Sequence, residues 1–396
     1  MIARGRGLSS ATLRILIVAH AFPPQVGGVE THVWDVSRRL GERGHRLLCL
    51  VGGPEARESY GPVTVVRHPA LTVGHLLEQR RSLARHLRSA ELGATLSGII
   101  GGISSEFSPD IIHAHNLLHF APELAEALIA KAEGKPIVTS VHDRVGEHLF
   151  PEVASMPWAH TLFASHYLQA NLPRCWPSSV RWLGIELDQF GRQGVSDSRF
   201  LGMERPIIFH PARLLRWKGV EIGLEAFGIV RQRLGRGTLV LCASANAATD
   251  HQEISALRVE LIRRAEKMNV GDHLRFLEFA QSQMPAAYRA SDLVWYPTTD
   301  EEPLGLVPIE AMASGTPLIV SDSGGMRETV LHDRTGLVVP KGDVAALSAA
   351  AERLLLDAAL RDRLVESGLS RAQKFRNHDY VDDLLVLYQS VLTTGK

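Results

Sequence analysis

Short apolar runs rich in Val, Ile and Leu alternate with helix-period segments along nearly the whole chain, and the alternation is interrupted once and then restarts. Strands this short and this uniformly apolar are buried on both faces, which is the pattern of a parallel sheet covered by helices on either side. The first series is read at Leu13–Ala19, His45–Val51, Val63–Arg67, Asp110–Ala114 and Ile137–Val141, extended by runs at Thr161–Ala164 and Val180–Leu183. The second is read at Ile207–His210, Thr238–Cys242, Leu274–Leu277, Leu293–Tyr296, Leu318–Val320 and Leu337–Val339. Between the first two strands, Glu30–Arg43 places Val33, Val36 and Leu40 at helical spacing and stops at Gly44, a residue suited to a left-handed helix end.

The interruption, Leu187–Pro206, is polar, rich in Gly, Ser and charge, and lacks periodicity, so it reads as a linker. A chain of 396 residues is too long for one ordinary core. The expected fold is α/β with two doubly wound, Rossmann-like domains over residues 1–187 and 206–376, a linker over 188–205, and a closing segment, 377–396, whose helix at Tyr380–Leu392 can pack on either domain. Ligands of such sheets bind outside the carboxyl ends of the strands, and two such domains facing each other make a cleft.

Lys plus Arg and Asp plus Glu are balanced at 43 each, which removes the broad positive field of a protein that grips nucleic acid by its phosphates. Any anion site must be local. Cys49, Cys175 and Cys242 have no ligand-like or redox spacing, which fits a reducing cytoplasm. Arg4, Arg6 and the run ending Ala19-His20-Ala21 loosely imitate a secretion signal, but Arg14 and His20 interrupt the run, and a first strand explains it. The most apolar stretch, Leu92–Ile103, is broken by Ser97 and several glycines and is too short to span a membrane.

The sharpest local signal is EEPLGLVPIEAMASGTP, in which seven residues separate Glu302 from Glu310. Gly305 lets a backbone approach a ligand, and the amides of Leu306 and Val307 at a helix start face anything anionic placed there. Pro308 falls in the first turn, where its missing donor costs nothing. Carboxylates on either side of that turn can accept hydrogen bonds from sugar hydroxyls. A capping acid and a surface glutamate are the plainer alternative, although they leave Gly305, Pro308 and the closing Gly-Thr-Pro unexplained.

This segment resembles the acidic motif of glycosyltransferase family four, retaining transferases with two facing Rossmann-like domains, the GT-B architecture. Other segments agree with it in order: PPQVGGVETHV resembles the glycine loop after the first strand, DIIHAHN and VTSVHD two histidine-bearing strand ends, HPARLLRWKG the basic phosphate-binding segment, and SDSGGMRE the glycine turn after the acidic motif. The resemblance runs from about residue 13 to residue 340. It implies a metal-independent, retaining hexosyltransferase without a cofactor, using a nucleotide-diphosphate sugar, UDP-sugar ahead of GDP-sugar, and a sugar, lipid-linked or small-molecule acceptor.

The resemblance also implies roles. Arg213 and Lys218 clamp the donor diphosphate, Glu310 holds the ribose, Glu302 the transferred sugar, and the amides after Gly305 touch the diphosphate. Gly27 and Gly28 let the first domain's loop approach the donor, and His142 orients the reacting sugar. Phe279, within the strand-end stretch Phe276–Ala280, approaches the nucleobase. For each there is a bland reading: a solvated loop for Arg213 and Lys218, a tight turn for the glycines. His113 and His115 share one face of a strand and read as packed, hydrogen-bonded histidines rather than zinc ligands. Arg80, Arg81, Arg85 and Arg88 form a basic stripe that is either a solvated face or a contact for an anionic lipid or phosphorylated acceptor. Two departures stand out: Ala212 where the family commonly has glycine, and LCASANAATD in place of a glycine-rich turn.

The competing readings are a nucleotide-sugar epimerase of the same architecture and a catalytically silent sugar-binding protein. A Rossmann dehydrogenase is disfavoured, because no G-x-G-x-x-G follows the first strand.

Overall fold

Among the described residues, fourteen strands make two sheets, and every strand of the second sheet is parallel to its neighbours. The computed structural model describes residues 11–20, 22–24, 27–72, 89–117, 122–143, 153, 155–171, 177–243 and 251–394. The basic stripe at Arg80–Arg88 and Cys175 therefore lie outside the described residues, as does most of LCASANAATD.

The chain divides into two compact units. The first comprises Met1–Ala164, Leu168–Arg181 and His378–Lys396; the second comprises Ser165–Tyr167 and Trp182–Asn377.

The first unit holds β1 (Arg14–Ala19), β2 (Arg46–Gly52), β3 (Ala56–Tyr60), β4 (Val63–His68), β5 (Ile111–His115), β6 (Ile137–Val141), β7 (His160–Phe163) and β8 (Ser178–Val180), in the order β3-β4-β2-β1-β5-β6-β7-β8. All pairs are parallel except β3–β4, an antiparallel hairpin that blunts one edge. That hairpin strand, ARESY, has two charged residues among its five and is mostly exposed, so it carries no apolar signal and sequence reading passes over it. The strand expected at Val180–Leu183 ends instead at Val180, and Leu183 is buried beyond it in the second unit.

Helix α1 (Gly28–Glu42) turns Val33, Val36 and Leu40 inward and ends as its sequence predicts, with Gly44 at φ 87° and the His45 amide donating back to Leu40 O at 3.2 Å. Helices α2 (Ala90–Phe107) and α3 (Pro122–Lys131) precede and follow β5. No helix among the described residues is long and apolar enough to cross a membrane.

The last helix, counted α12 (Asn377–Thr394), rejoins this first unit. Tyr380, Val381, Leu384, Leu385, Tyr388 and Val391 are buried, a stripe recurring every three to four residues. Its charged flank pairs Asp382 with Arg43 at 2.6 Å and Asp383 with Arg181 at 2.9 Å.

The second unit holds β9 (Ile207–His210), β10 (Thr238–Cys242), β11 (Leu274–Leu277), β12 (Leu293–Tyr296), β13 (Leu318–Ser321) and β14 (Leu337–Val339), ordered β11-β10-β9-β12-β13-β14. Helix α4 (His166–Asn171) has its first two residues in this unit and the other four in the first, and around the second sheet lie α5 (Val220–Leu234), α6 (His251–Lys267), α7 (Met284–Ala290), α8 (Leu306–Ala313), α9 (Met326–Thr329), α10 (Val344–Leu356) and α11 (Ala358–Ala372). Its core joins Ile208, Leu239, Leu241 and Trp295 of the strands to Leu224, Phe227, Leu261, Leu347 and Leu354 of the helices. Residues 188–205, read from sequence as a linker, are clustered with this unit. Phe190 and Phe200 are buried there, and two isolated aromatics anchor a stretch that has no periodicity to reveal it.

The strand order reverses direction between β9 and β12 in the second sheet and between β1 and β5 in the first. At such switch points the loops leaving neighbouring strands diverge and open a crevice at the carboxyl edge.

Candidate active site

In the second unit, the switch point brings together two segments far apart in sequence. The loop after β9 carries Arg213 and Lys218, and the loop after β12 carries Glu302. Lys218 Nζ donates to Glu302 Oε2 at 2.9 Å and lies 3.8 Å from the centre of the Trp217 ring. It also donates to the hydroxyl of Tyr296, the last residue of β12, and that hydroxyl donates to Glu302 Oε2 at 2.6 Å. Burial, then the Glu302 carboxylate, push the Tyr296 phenol well above its usual range, so it stays protonated and can only act as the donor toward Glu302. Arg213 is close enough to pull the same phenol downward.

The backbone fixes these loops to one another. Gly219 follows Lys218 with φ 76°, and a Cβ there would stand 1.8 Å from Pro297 O. The Trp217 carbonyl accepts from Thr299 N at 2.9 Å and Thr298 Oγ1 at 2.7 Å. On the other side, Glu302 N donates to Ser323 Oγ at 2.8 Å, Gly325 N donates to Glu302 O at 2.8 Å, and a Cβ on Gly324 would lie 2.2 Å from Glu302 O. The glycines of the turn SDSGGMRE thus let the acidic loop lie directly against the backbone that follows β13.

Gly305 caps α8 at φ 84°, leaving Leu306 and Val307 as the first helical residues and Pro308 in the first turn. Glu310 lies within α8, buried, and accepts from the Tyr288 hydroxyl at 2.6 Å. Burial raises its carboxyl above the usual value, against hydrogen bonds from Tyr288 and Gln281 that draw it down.

Phe279 lies two residues beyond the end of β11. Its ring is buried against Phe200 and Phe209, the latter edge-on at 5.4 Å, and the Arg199 guanidinium covers it at 4.3 Å. Phe209 in turn meets Tyr288 at 5.7 Å, so Phe279 and Glu310 are joined through an aromatic core.

In the first unit, Gly27 caps α1 and Gly28 begins it; a Cβ on Gly27 would meet the Glu30 carboxylate at 2.3 Å. One turn on, His32 places its ring 5.2 Å from that of His142. His142 follows β6 and is held by Asn116, whose Oδ1 accepts from the His142 amide at 2.7 Å, and by His115, whose Nδ1 lies 2.8 Å from His142 Nε2. His113, His115 and His142 form a stack with ring centres 4.3 and 5.1 Å apart. His113 is hydrogen-bonded at both nitrogens, to Tyr388 and to Ser140. Burial drives His32 and His113 down to about 3 and His115 well below its usual value, so these rings are neutral. The described metal-ligand grouping, His378, Asp379 and Asp382, is on α12 and does not involve them.

In the second unit Lys218 and Glu302 meet at Tyr296, with Arg213 near it, while Glu310 is held by Tyr288; in the first, His142 meets His32, which lies one turn after Gly28 in α1. Sequence reading missed Tyr296, Tyr288 and Ser323. The signal for the first was available, since a hydroxyl closing an otherwise apolar strand at a carboxyl edge must find a partner there.

The chain matches the model of glycosyl transferases group 1 over residues 196–371 and that of glycosyltransferase family 4 over residues 26–176. It is 30% identical over 400 residues to a D-inositol 3-phosphate glycosyltransferase of Salinispora tropica, covering 91% of this chain and 80% of that protein. It is 27% identical over 386 residues to a GDP-mannose-dependent alpha-(1-6)-phosphatidylinositol monomannoside mannosyltransferase of Mycobacterium tuberculosis, covering 90% and 91%. In fold it is similar to sucrose-phosphate synthase from Thermosynechococcus elongatus, with a TM-score of 0.74 at 19% identity, over 96% of this chain and 99% of that one. The chain belongs to glycosyltransferase family 4 and has the GT-B fold of two doubly wound α/β domains.

Proposed function

We propose that this glycosyltransferase moves a hexosyl unit from a nucleoside-diphosphate sugar to an acceptor hydroxyl with retention of anomeric configuration, without a metal ion, in the cytoplasm. The bond between the anomeric carbon and the diphosphate oxygen breaks, the acceptor oxygen bonds to that carbon on the same face, and the acceptor's proton passes to the leaving phosphate. Lys218 and Arg213 neutralise the charge that develops on the diphosphate. The amides of Leu306 and Val307 add to them at the start of α8. Glu302 holds the sugar hydroxyls, Glu310 the ribose, and His142 orients the sugar.

The observation that supports this reading best is the Lys218–Glu302 contact at 2.9 Å, a cation and a carboxylate from separate loops placed at the sheet's switch point. A phosphate-binding cation beside a hydroxyl-binding carboxylate suits the junction between diphosphate and sugar. An expected uridine base stands beside a relative named for GDP-mannose, so the base is decided by experiment.

The test is a thermal-shift panel of UDP, GDP and their hexose conjugates, followed by turnover with the stabilising donor and NMR of the product's anomeric proton. Binding raises Tm with the logarithm of ligand concentration over Kd, and turnover releases free nucleoside diphosphate. An epimerase would release none. Lys218→Gln is expected to lower turnover by about 10²- to 10³-fold, the usual loss of one transition-state charge partner. Undiminished turnover, or an inverted product, refutes the reading.

A further inference from the structure

Each carboxylate of the acidic pair is met by its own buried tyrosine. Tyr296 donates to Glu302 Oε2 and Tyr288 to Glu310 Oε2, both at 2.6 Å. The tyrosines are no more than 1% exposed. The spacing matches as well: Tyr288 and Tyr296 are eight positions apart, as are Glu302 and Glu310. One tyrosine comes from α7 and the other closes β12, so neither belongs to the acidic segment it serves.

Both phenols are raised well above their usual range, by burial first and by the facing carboxylate next, so each is a fixed donor. In both cases the oxygen taken is Oε2. A glutamate side chain loses rotamer freedom when it is ordered. A carboxylate already ordered by a rigid ring does not pay that on meeting its ligand, and its second oxygen keeps a set direction.

We propose that Tyr288 and Tyr296 are positioning residues that anchor one oxygen of each carboxylate so that the other is presented to the donor, Tyr288 on the ribose side and Tyr296 on the sugar side. This rests on the roles given above to Glu310 and Glu302. The two halves make different demands. Tyr288 governs affinity for the nucleotide whether or not a sugar is attached. Tyr296 governs the sugar first, and touches the bare nucleoside diphosphate only through Lys218, which donates to its hydroxyl.

The experiment measures Kd for UDP and GDP, and Kd and kcat/KM for UDP-glucose and GDP-mannose, in Tyr288→Phe and Tyr296→Phe, with Glu310→Gln and Glu302→Gln as references. Tyr288→Phe should weaken nucleoside diphosphate and sugar nucleotide together by about tenfold or more, the size expected of a hydrogen bond to a charged group. Tyr296→Phe, which also removes an acceptor of Lys218, should lower kcat/KM for the sugar nucleotide by about tenfold or more, a larger factor than that by which it weakens the nucleoside diphosphate. Each Tyr→Phe change should add little on top of its own Glu→Gln change.

If the Glu→Gln references bind and turn over as the parent does, the reading of the site fails and this proposal falls with it. If the references are impaired and the Phe variants are not, only the tyrosine proposal is overturned. Equal loss of both ligands in both Phe variants also overturns it. Should a Phe variant fail to fold, 3-fluorotyrosine placed at that position keeps the volume and changes the donor, and the same constant should move by about twofold or more; an unmoved constant overturns the proposal.

Discussion

The hydroxyl of Tyr388 on α12 lies 2.6 Å from Nδ1 of His113 on β5, across 275 positions of sequence. A neutral imidazole has one donor and one acceptor, and here Tyr388 takes one nitrogen and Ser140 the other, at 2.7 Å. Tyr388→Phe leaves a buried nitrogen without its partner and should cost about 1–3 kcal/mol. In a thermal scan the first unit's transition should drop by several degrees. An unchanged transition would show that the contact contributes nothing.

Gly219→Ala should be far more damaging than its size implies. The residue sits at φ 76°, and the added methyl carbon would meet Pro297 O at 1.8 Å. That carbonyl cannot easily retreat, because Thr298 and Thr299 are hydrogen-bonded to Trp217 O. We expect a loss of about 2 kcal/mol or more together with loss of turnover, since Lys218 is the preceding residue. Denaturant midpoints and kcat/KM for the variant check both.

Acid should destabilise the protein from near neutrality downward. His32, His113 and His210 are held near 3 by burial, with Lys218 adding to the effect at His210, whereas an unfolded chain titrates them near 6.5. Between those values the unfolded state binds more protons, so stability is present above pH 6.5 and is lost as pH falls. Each ring contributes up to about 1.4 kcal/mol per pH unit within that window. Tm measured from pH 7.5 to 5 should fall steadily, and His210→Gln should flatten part of the slope. A flat profile contradicts the burial argument.

Glu328 has three donors: the amides of His166 and Tyr167 at 2.9 and 2.8 Å, and the Trp182 indole at 2.8 Å. All lie in the second unit, which gains residues 165–167 through them. Glu328→Ala should cost about 1–3 kcal/mol by orphaning those groups, and Glu328→Gln less, since one oxygen remains. Limited proteolysis near residue 166 should accelerate in the same order.

The strands were legible because a parallel sheet buries both faces and so writes nearly continuous apolar runs; Ile207–His210 and Leu293–Tyr296 are found at their expected limits. The α1 terminus was legible because Gly44 has a conformation few other residues accept. β3 was not, since an exposed hairpin edge such as ARESY has no buried face to pattern. The packing of Phe279 was not legible, because its ring partners, Phe200 and Phe209, lie in other segments. Tyr288 and Tyr296 were hidden for the converse reason: in a hydrophobic run a tyrosine looks like one more packed ring, and only the fold shows which carboxylate its hydroxyl reaches.

That α12 is grouped with β1–β8 has a consequence for synthesis. As the chain emerges from the ribosome, β9–β14 and their helices are complete while the N-terminal sheet still lacks the residues that cover His113. The half made first is therefore the half finished last, and a fragment cut at the interdomain crossing would carry an open apolar and histidine-lined face that the intact protein never shows.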